Sequence, residues 1–192
     1  MAYTVPALPS GARPRRILLH VCCAPCASHC IGVLRDAGME VTAFFTNANI
    51  APEEERLLRL ENVRKLAAIL GVPLVEEAPP HADWQRAVAG FESAPEGGGR
   101  CRRCFALNLG RTRDYAAAHG FEAFATSLTV SPHKNSATVF EVGRALDPVR
   151  FLPVDFKKNG GFQHSVELSR RYGLYRQAYC GCEFSLRPAS AR

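Results

Sequence analysis

The feature that most constrains the fold is a repeated alternation of short apolar runs with longer amphipathic segments. Ile17–Val21 (ILLHV) reads as a buried strand, and Glu40–Phe45 (EVTAFF), β-branched and aromatic, as a second. Val72–Val75 and Phe121–Leu128 read as a third and a fourth. Between the first two lies a helix running to about Arg35 and stopped by Asp36-Ala37-Gly38. The longest helix is expected over Pro52–Leu70, where Glu53, Glu54 and Glu55 complement its N-terminus. Leu57, Leu60, Val63, Leu66 and Ile69 recur at helical spacing, and Gly71 closes it. Further helices are expected near Ala82–Ala89, over Cys104–His119, from about Asn135 to Leu146 and over Ser165–Tyr172. Ser93–Gly99 reads as a loop, Phe151–Val154 as an apolar stretch, and the segment from Tyr179 as irregular.

Such alternation implies a Rossmann-like α/β fold, a mostly parallel sheet with helices on both faces. The length of 192 residues suits a single domain. We expect a flexible leader over 1–15, one α/β domain over 16–187 and a flexible tail over 188–192. Ligands of such sheets bind beyond the carboxyl ends of the strands. The turn after the first strand is therefore the natural site, and it carries Cys22, Cys23 and Cys26.

Apolar residues make up 47% and charged residues 22%, a globular balance. No apolar run approaches the ~18–20 residues that span a bilayer, so no membrane partner is expected. The segment Met1–Arg16 lacks an apolar core followed by a small-residue cleavage site, and the expectation is a cytoplasmic protein. The net charge of +6 suits a polyanion such as RNA, and equally an ordinary basic surface. No Gly-rich phosphate loop follows the first strand, so ATP use is not expected.

The eight cysteines form three clusters: Cys22, Cys23, Cys26 and Cys30; Cys101 and Cys104; Cys180 and Cys182. Adjacent cysteines and a C-x-C pair bridge each other only with strain, which disfavours disulfides. Cys23-Ala24-Pro25-Cys26 fits a redox dithiol at a helix N-terminus, but leaves the other clusters without a role. Metal binding uses all three. A structural zinc takes four thiolates, and a cubane iron–sulfur cluster takes three or four, with thiolates left for a second metal. Three readings stand on spacing alone: an iron–sulfur protein, a zinc-binding RNA module without redox chemistry, and a cytosolic dithiol reductase.

Four strings carry a family resemblance. They are His20-Val21-Cys22-Cys23-Ala24-Pro25, Arg100-Cys101-Arg102-Arg103-Cys104-Phe105, Ser131-Pro132-His133-Lys134-Asn135, and Tyr175-Arg176-Gln177-Ala178-Tyr179-Cys180-Gly181-Cys182-Glu183-Phe184-Ser185. In this order, across almost the whole chain, they resemble the QueH family of epoxyqueuosine reductases. The resemblance implies a fold related to the HUP and ATP-pyrophosphatase-like proteins. It also implies removal of the epoxide oxygen from epoxyqueuosine at the tRNA wobble position, giving queuosine. The implied cofactors are a [4Fe-4S] cluster and an adjacent mononuclear iron. The implied partners are a tRNA of the GUN-anticodon type and an electron donor such as a ferredoxin or flavodoxin.

On that resemblance Cys22, Cys23, Cys101, Cys104, Cys180 and Cys182 are the expected ligands. Cys26 is the seventh, at a position where the family often carries Asp. Cys30 reads as a buried small residue. Asn108 stands where the family usually has Arg. His133, Lys134 and Tyr179 are the expected catalytic side chains, with His164 a weaker candidate, and His20 reads as a core histidine inside its strand. Tyr175 and Tyr179 flank Arg176, an arrangement suited to stacking on a flipped base. Arg100, Arg102, Arg103, Lys157, Lys158 and Arg176 are the expected contacts to tRNA, with Lys134, Arg170 and Arg171 further basic residues near the motifs.

Overall fold

The computed structural model describes residues 4–186; Met1–Tyr3 of the expected leader and the expected tail at 188–192 lie outside them. Strands β1 (Arg16–His20), β2 (Glu40–Thr46), β3 (Leu74–Glu77) and β4 (Ala123–Thr126) form one parallel sheet in the order β3-β2-β1-β4. Helices α1 (Ala24–Asp36), α2 (Glu53–Leu70), α3 (His81–Val88), α4 (Gly99–Ala118), α5 (Ser136–Leu146) and α6 (Gly161–Arg171) connect and cover it. No helix among the described residues is long and apolar enough to cross a membrane.

The period of two along the strands divides the core. Ile17, Leu19, Ala43, Phe45 and Ala125 belong to a cluster with Ala27, Ile31 and Leu34 of α1 and Leu60, Val63 and Leu66 of α2. Leu18, Phe44 and Phe124 belong to another, with Phe105 and Leu109 of α4 and Val139 and Val142 of α5. Both faces of β1 are therefore dry, which is why it reads as a continuous apolar run. Val5, in the segment expected to be a flexible leader, is buried in the first of these clusters.

The element boundaries differ from the sequence expectation in instructive ways. Helix α4 begins at Gly99, not at Cys104, so Cys101 and Cys104 share one face of its first turns, three residues apart. The glycines at 97–99 hid that start, because glycine reads as loop whether or not it opens a helix. The buried stripe of α2 comprises Arg56, Arg59, Leu60, Val63, Leu66 and Ala67. Leu57 and Ile69 fall to either side of it and are 48% and 47% exposed. Strand β4 stops at Thr126, whose hydroxyl accepts from the Leu128 amide at 3.2 Å and turns the chain into a 3-10 turn at Ser127–Val130. Helix α5 begins after Asn135, whose side-chain oxygen accepts from the Ala137 amide at 2.8 Å; His133 and Lys134 thus occupy the turn before the helix. Helix α6 starts at Gly161, a turn earlier than expected.

Candidate metal centre

The carboxyl ends of the strands carry a buried polar row. The His20 ring lies 2.9 Å from the Thr126 hydroxyl through Nδ1 and 3.3 Å from Asn47 Oδ1 through Nε2. It is a satisfied core histidine that fixes strand ends, as its place in β1 suggested. Asn47 in turn donates to the Val21 carbonyl at 2.9 Å, and the Cys22 amide donates to the Ser127 hydroxyl at 3.2 Å. The turn bearing the first cysteines is thereby tied to the ends of three strands.

On this base the sulfurs of Cys22, Cys23 and Cys26 all lie within 4.8 Å of one another. Cys23 sits in extended conformation at the start of α1, and Pro25 occupies its first turn, where a missing amide hydrogen costs nothing. The three sulfurs share charge unequally. Hydrogen bonds from Cys23 and Cys26 hold the Cys22 thiol well below its ordinary range. The same contact with Cys22 pushes Cys23 up to about 12, and Cys26 is pushed well above its ordinary value, first by Cys22 and then by Cys23. Cys30 is fully buried in the core beside this group, and burial pushes its thiol up.

The other two clusters meet across the cavity. Cys182 is buried with Trp84 and Ala48, and Cys104 packs against that group. Burial pushes the Cys104 thiol up, and the charges of Cys180, Cys182 and Cys101 push the same way. Cys101 is raised by burial and accepts from the Gly97 amide at 3.2 Å. Between the two sulfur groups lies Lys134, whose ammonium donates to Cys180 Sγ at 3.3 Å. Burial opposes its charge, but its contacts with the sulfurs of Cys180 and Cys22 outweigh burial and raise its pKa.

These groups surround a cavity of about 490 Å³, lined by Cys22, Cys26, Cys104, Cys180, Lys134 and Arg176 among others. The soft, sulfur-only donors fit iron–sulfur chemistry or zinc, not magnesium or calcium. His133 and Tyr179 line the same cavity. His133 is exposed at its rim, whereas the Tyr179 hydroxyl donates to the Ala51 carbonyl at 2.6 Å. His164 instead meets His29, Nδ1 to Nδ1 at 3.0 Å, where α6 packs on α1.

The basic residues expected to contact tRNA separate into two sets. Arg100 is buried and turned inward: its guanidinium donates to the carbonyls of Glu92, at 2.6 Å, and Ala94, and lies 4.8 Å from the Phe184 ring centre. It braces the loop before α4, and its side chain does not face a ligand surface. Arg102, Arg103, Lys158 and Arg176 are exposed. Arg102 pairs with Glu141 at 2.9 Å, and Arg176 lies over the Phe162 ring at 5.8 Å. Lys157 is half-buried and donates to the Lys134 carbonyl.

Four polar side chains of the site were not among the site residues expected from the sequence. Asn49 and Asn108 pair at 2.8 Å in the cavity wall, Gln177 donates to Cys23 Sγ at 3.0 Å, and Arg59 lies beneath the last cysteine pair. Arg59 had a signal, an arginine on the apolar stripe of α2, and Asn108 had one as a departure from the family's Arg; Asn49 had none.

A sequence profile described as epoxyqueuosine reductase QueH matches residues 17–188. The epoxyqueuosine reductase QueH of Streptococcus pyogenes serotype M1 is 42% identical over 178 residues, spanning 88% of this chain and 69% of that protein. The Thermotoga maritima protein of the same name is 39% identical over 176 residues, 88% of this chain and 90% of its own. Among solved structures, the U34-tRNA thiolase NcsA from Methanococcus maripaludis with its [4Fe-4S] cluster has a TM-score of 0.58 at 10% identity, covering 92% of this chain and 63% of that one. A predicted subunit of tRNA methyltransferase from Methanocaldococcus jannaschii has a TM-score of 0.52 at 14% identity, covering 79% and 74%. Both likenesses are of fold alone, and they agree with the Rossmann-like α/β fold expected from the strand–helix alternation. With cysteine clusters gathered at the strand ends and a profile matched from β1 past the last cysteine pair, the chain belongs to the epoxyqueuosine reductase QueH family.

Proposed function

We propose that the chain is an epoxyqueuosine reductase, converting epoxyqueuosine in the wobble position of a GUN-anticodon tRNA to queuosine. The observation that carries this is the match to the family over residues 17–188, together with cysteines of all three clusters at one cavity. The reaction removes the epoxide oxygen as water and leaves an alkene, consuming two electrons and two protons. A ferredoxin or flavodoxin is the proposed donor. A [4Fe-4S] cluster with an adjacent iron, when bound, would supply one-electron steps and a Lewis-acid position for the epoxide oxygen.

The donor sets support a division of ligands. Cys101, Cys104, Cys180 and Cys182 match in number what a cubane takes, and the triad Cys22, Cys23 and Cys26 suits the single iron. Lys134 balances thiolate charge from both groups and keeps its proton at Nζ. His133, which lines the cavity and is exposed, delivers protons from solvent. Arg102, Arg103, Lys158 and Arg176 hold the anticodon stem-loop by its phosphates, and Arg176 and Tyr179 flank the inserted base.

The test is metal and acid-labile sulfide content of protein purified without oxygen, followed by a tRNA assay read by mass spectrometry of the modified nucleoside. About five irons and four sulfides per chain, with loss of one oxygen from the nucleoside, is the expected result. Zinc alone, with no sulfide and no conversion, would return the chain to a zinc-binding RNA module.

A further inference from the structure

Arg59 is 1% exposed, yet each part of its guanidinium has a partner. Nε donates to Glu55 Oε1 at 2.7 Å, one terminal nitrogen to the Cys180 carbonyl at 3.0 Å, and the other to the Tyr179 carbonyl at 3.2 Å. The Tyr179 ring centre lies 5.2 Å from it. Glu55 is itself fixed, because its second oxygen accepts from the Tyr175 hydroxyl at 2.9 Å. Asn62, further along α2, accepts from the Tyr175 amide at 2.8 Å.

The segment so held has no sheet or helix to pair its backbone. Its successive carbonyls at Tyr179, Cys180 and Gly181 nevertheless end on fixed donors: the first two on Arg59, and the third on the Ala51 amide at 2.9 Å. Gly181 has φ +132°, and a Cβ there would lie 3.2 Å from both an Arg59 nitrogen and Ile50 Cγ1. The chain between the last two cysteines thus rests directly on the guanidinium. Burial works against the charge of Arg59, and its hydrogen bond to the Glu55 carboxylate works for it.

We propose, resting on the reading of the cysteines as one metal site, that Arg59 is the positioning residue of that site. Its fork holds the Tyr179–Cys180 backbone so that the Cys180 and Cys182 sulfurs are preset on the Cys104 side of the cavity. Lysine cannot replace it. An ammonium keeps the charge but lacks the planar fork that reaches two carbonyls at once.

The experiment titrates cobalt(II) into the full-length apoprotein under reducing, oxygen-free conditions and follows the thiolate-to-cobalt charge-transfer band. Arg59→Met and Arg59→Lys are compared with the wild type, and Arg59→Lys also with its combination with C180S/C182S. Arg59→Met should weaken cobalt binding about 10–100-fold, the usual range for groups that hold ligands in place. It should also lower the charge-transfer intensity, as the Cys180 and Cys182 sulfurs leave the site. Arg59→Lys should lose several-fold on its own, and nothing further once Cys180 and Cys182 are serine. Wild-type affinity in a folded Arg59→Met or Arg59→Lys would overturn the proposal. So would an equal loss from Arg59→Lys in both backgrounds, which would mark a general effect on the fold, and this comparison decides the matter if Arg59→Met does not fold. A wild-type apoprotein that takes up no cobalt would instead remove the metal reading, and the role of Arg59 with it.

Discussion

Lys134 and Cys180, far apart in sequence, form an ammonium–sulfur contact of 3.3 Å in the wall of the cavity. The same ammonium is held charged by Cys180 and Cys22, which come from opposite sulfur groups. A cavity that gathers this many thiols repels further negative charge, and Lys134 is the nearest compensation. Lys134→Met should therefore lower metal affinity by about 10-fold or more and reduce conversion of epoxyqueuosine in tRNA at least as much. Iron analysis of protein reconstituted in parallel with wild type checks the first effect. Unchanged metal content with unchanged turnover would show the contact to be incidental.

Cys26 and Cys30 lie one helical turn apart on α1 and should behave oppositely. Cys26 is half-buried, lines the cavity and has its sulfur within 4.8 Å of those of Cys22 and Cys23. Cys30 is wholly buried in the apolar core. Cys26→Ser should lower iron per chain, with sulfide following less. Cys30→Ala should leave both unchanged and cost about 1 kcal/mol of stability, the effect of trimming one small core atom. Iron loss confined to Cys30→Ala would reverse the assignment.

The buried and the exposed arginines are separable by salt. An exposed arginine proposed to contact phosphate, such as Arg103 or Arg176, should on mutation to alanine reduce the slope of log affinity for tRNA against log salt by about one. Arg100→Ala should leave that slope alone and instead destabilise the fold by about 1–3 kcal/mol, since the Glu92 and Ala94 carbonyls lose a charged donor. Filter binding across a salt series, together with urea unfolding, reads both. A slope change for Arg100→Ala with full stability would place its side chain on the RNA after all.

Much of this site was legible because its parts are local. The strand at 17–21 and the cysteines at its end follow from one apolar run stopped by a polar turn, and parallel α/β topology places that turn at the ligand edge. What was not legible depends on side-chain direction after folding. Arg100 and Arg103 are both arginines beside a glycine-rich loop, and nothing local says that one turns inward to bare carbonyls while the other lies over the Phe91 ring. Asn49 and Asn108 are ordinary polar residues until β2 and α4 bring them within hydrogen-bond reach. The start of α4 was hidden by glycines, and with it the shared helical face of Cys101 and Cys104.

Acid sensitivity should arise partly at the seam between α1 and α6. His29 is lowered to about 4 from 6.5, first by burial and then by the charge of His164. Between those two values the unfolded chain binds a proton that the folded chain refuses. The stability contributed by neutral His29 is therefore complete above about pH 6.5 and lost as pH falls through the folded value. Discounted for the part of the ring that solvent screens, the loss is on the order of 1 kcal/mol. His29→Gln, which keeps a polar side chain but does not titrate, should flatten the fall in urea midpoint between pH 6.5 and pH 4. Some slope should remain, because burial also lowers His20. The comparison belongs on apoprotein, where acid release of metal from the thiolates does not contribute. Parallel profiles for variant and wild type would mean that the α1–α6 seam accepts the proton without strain.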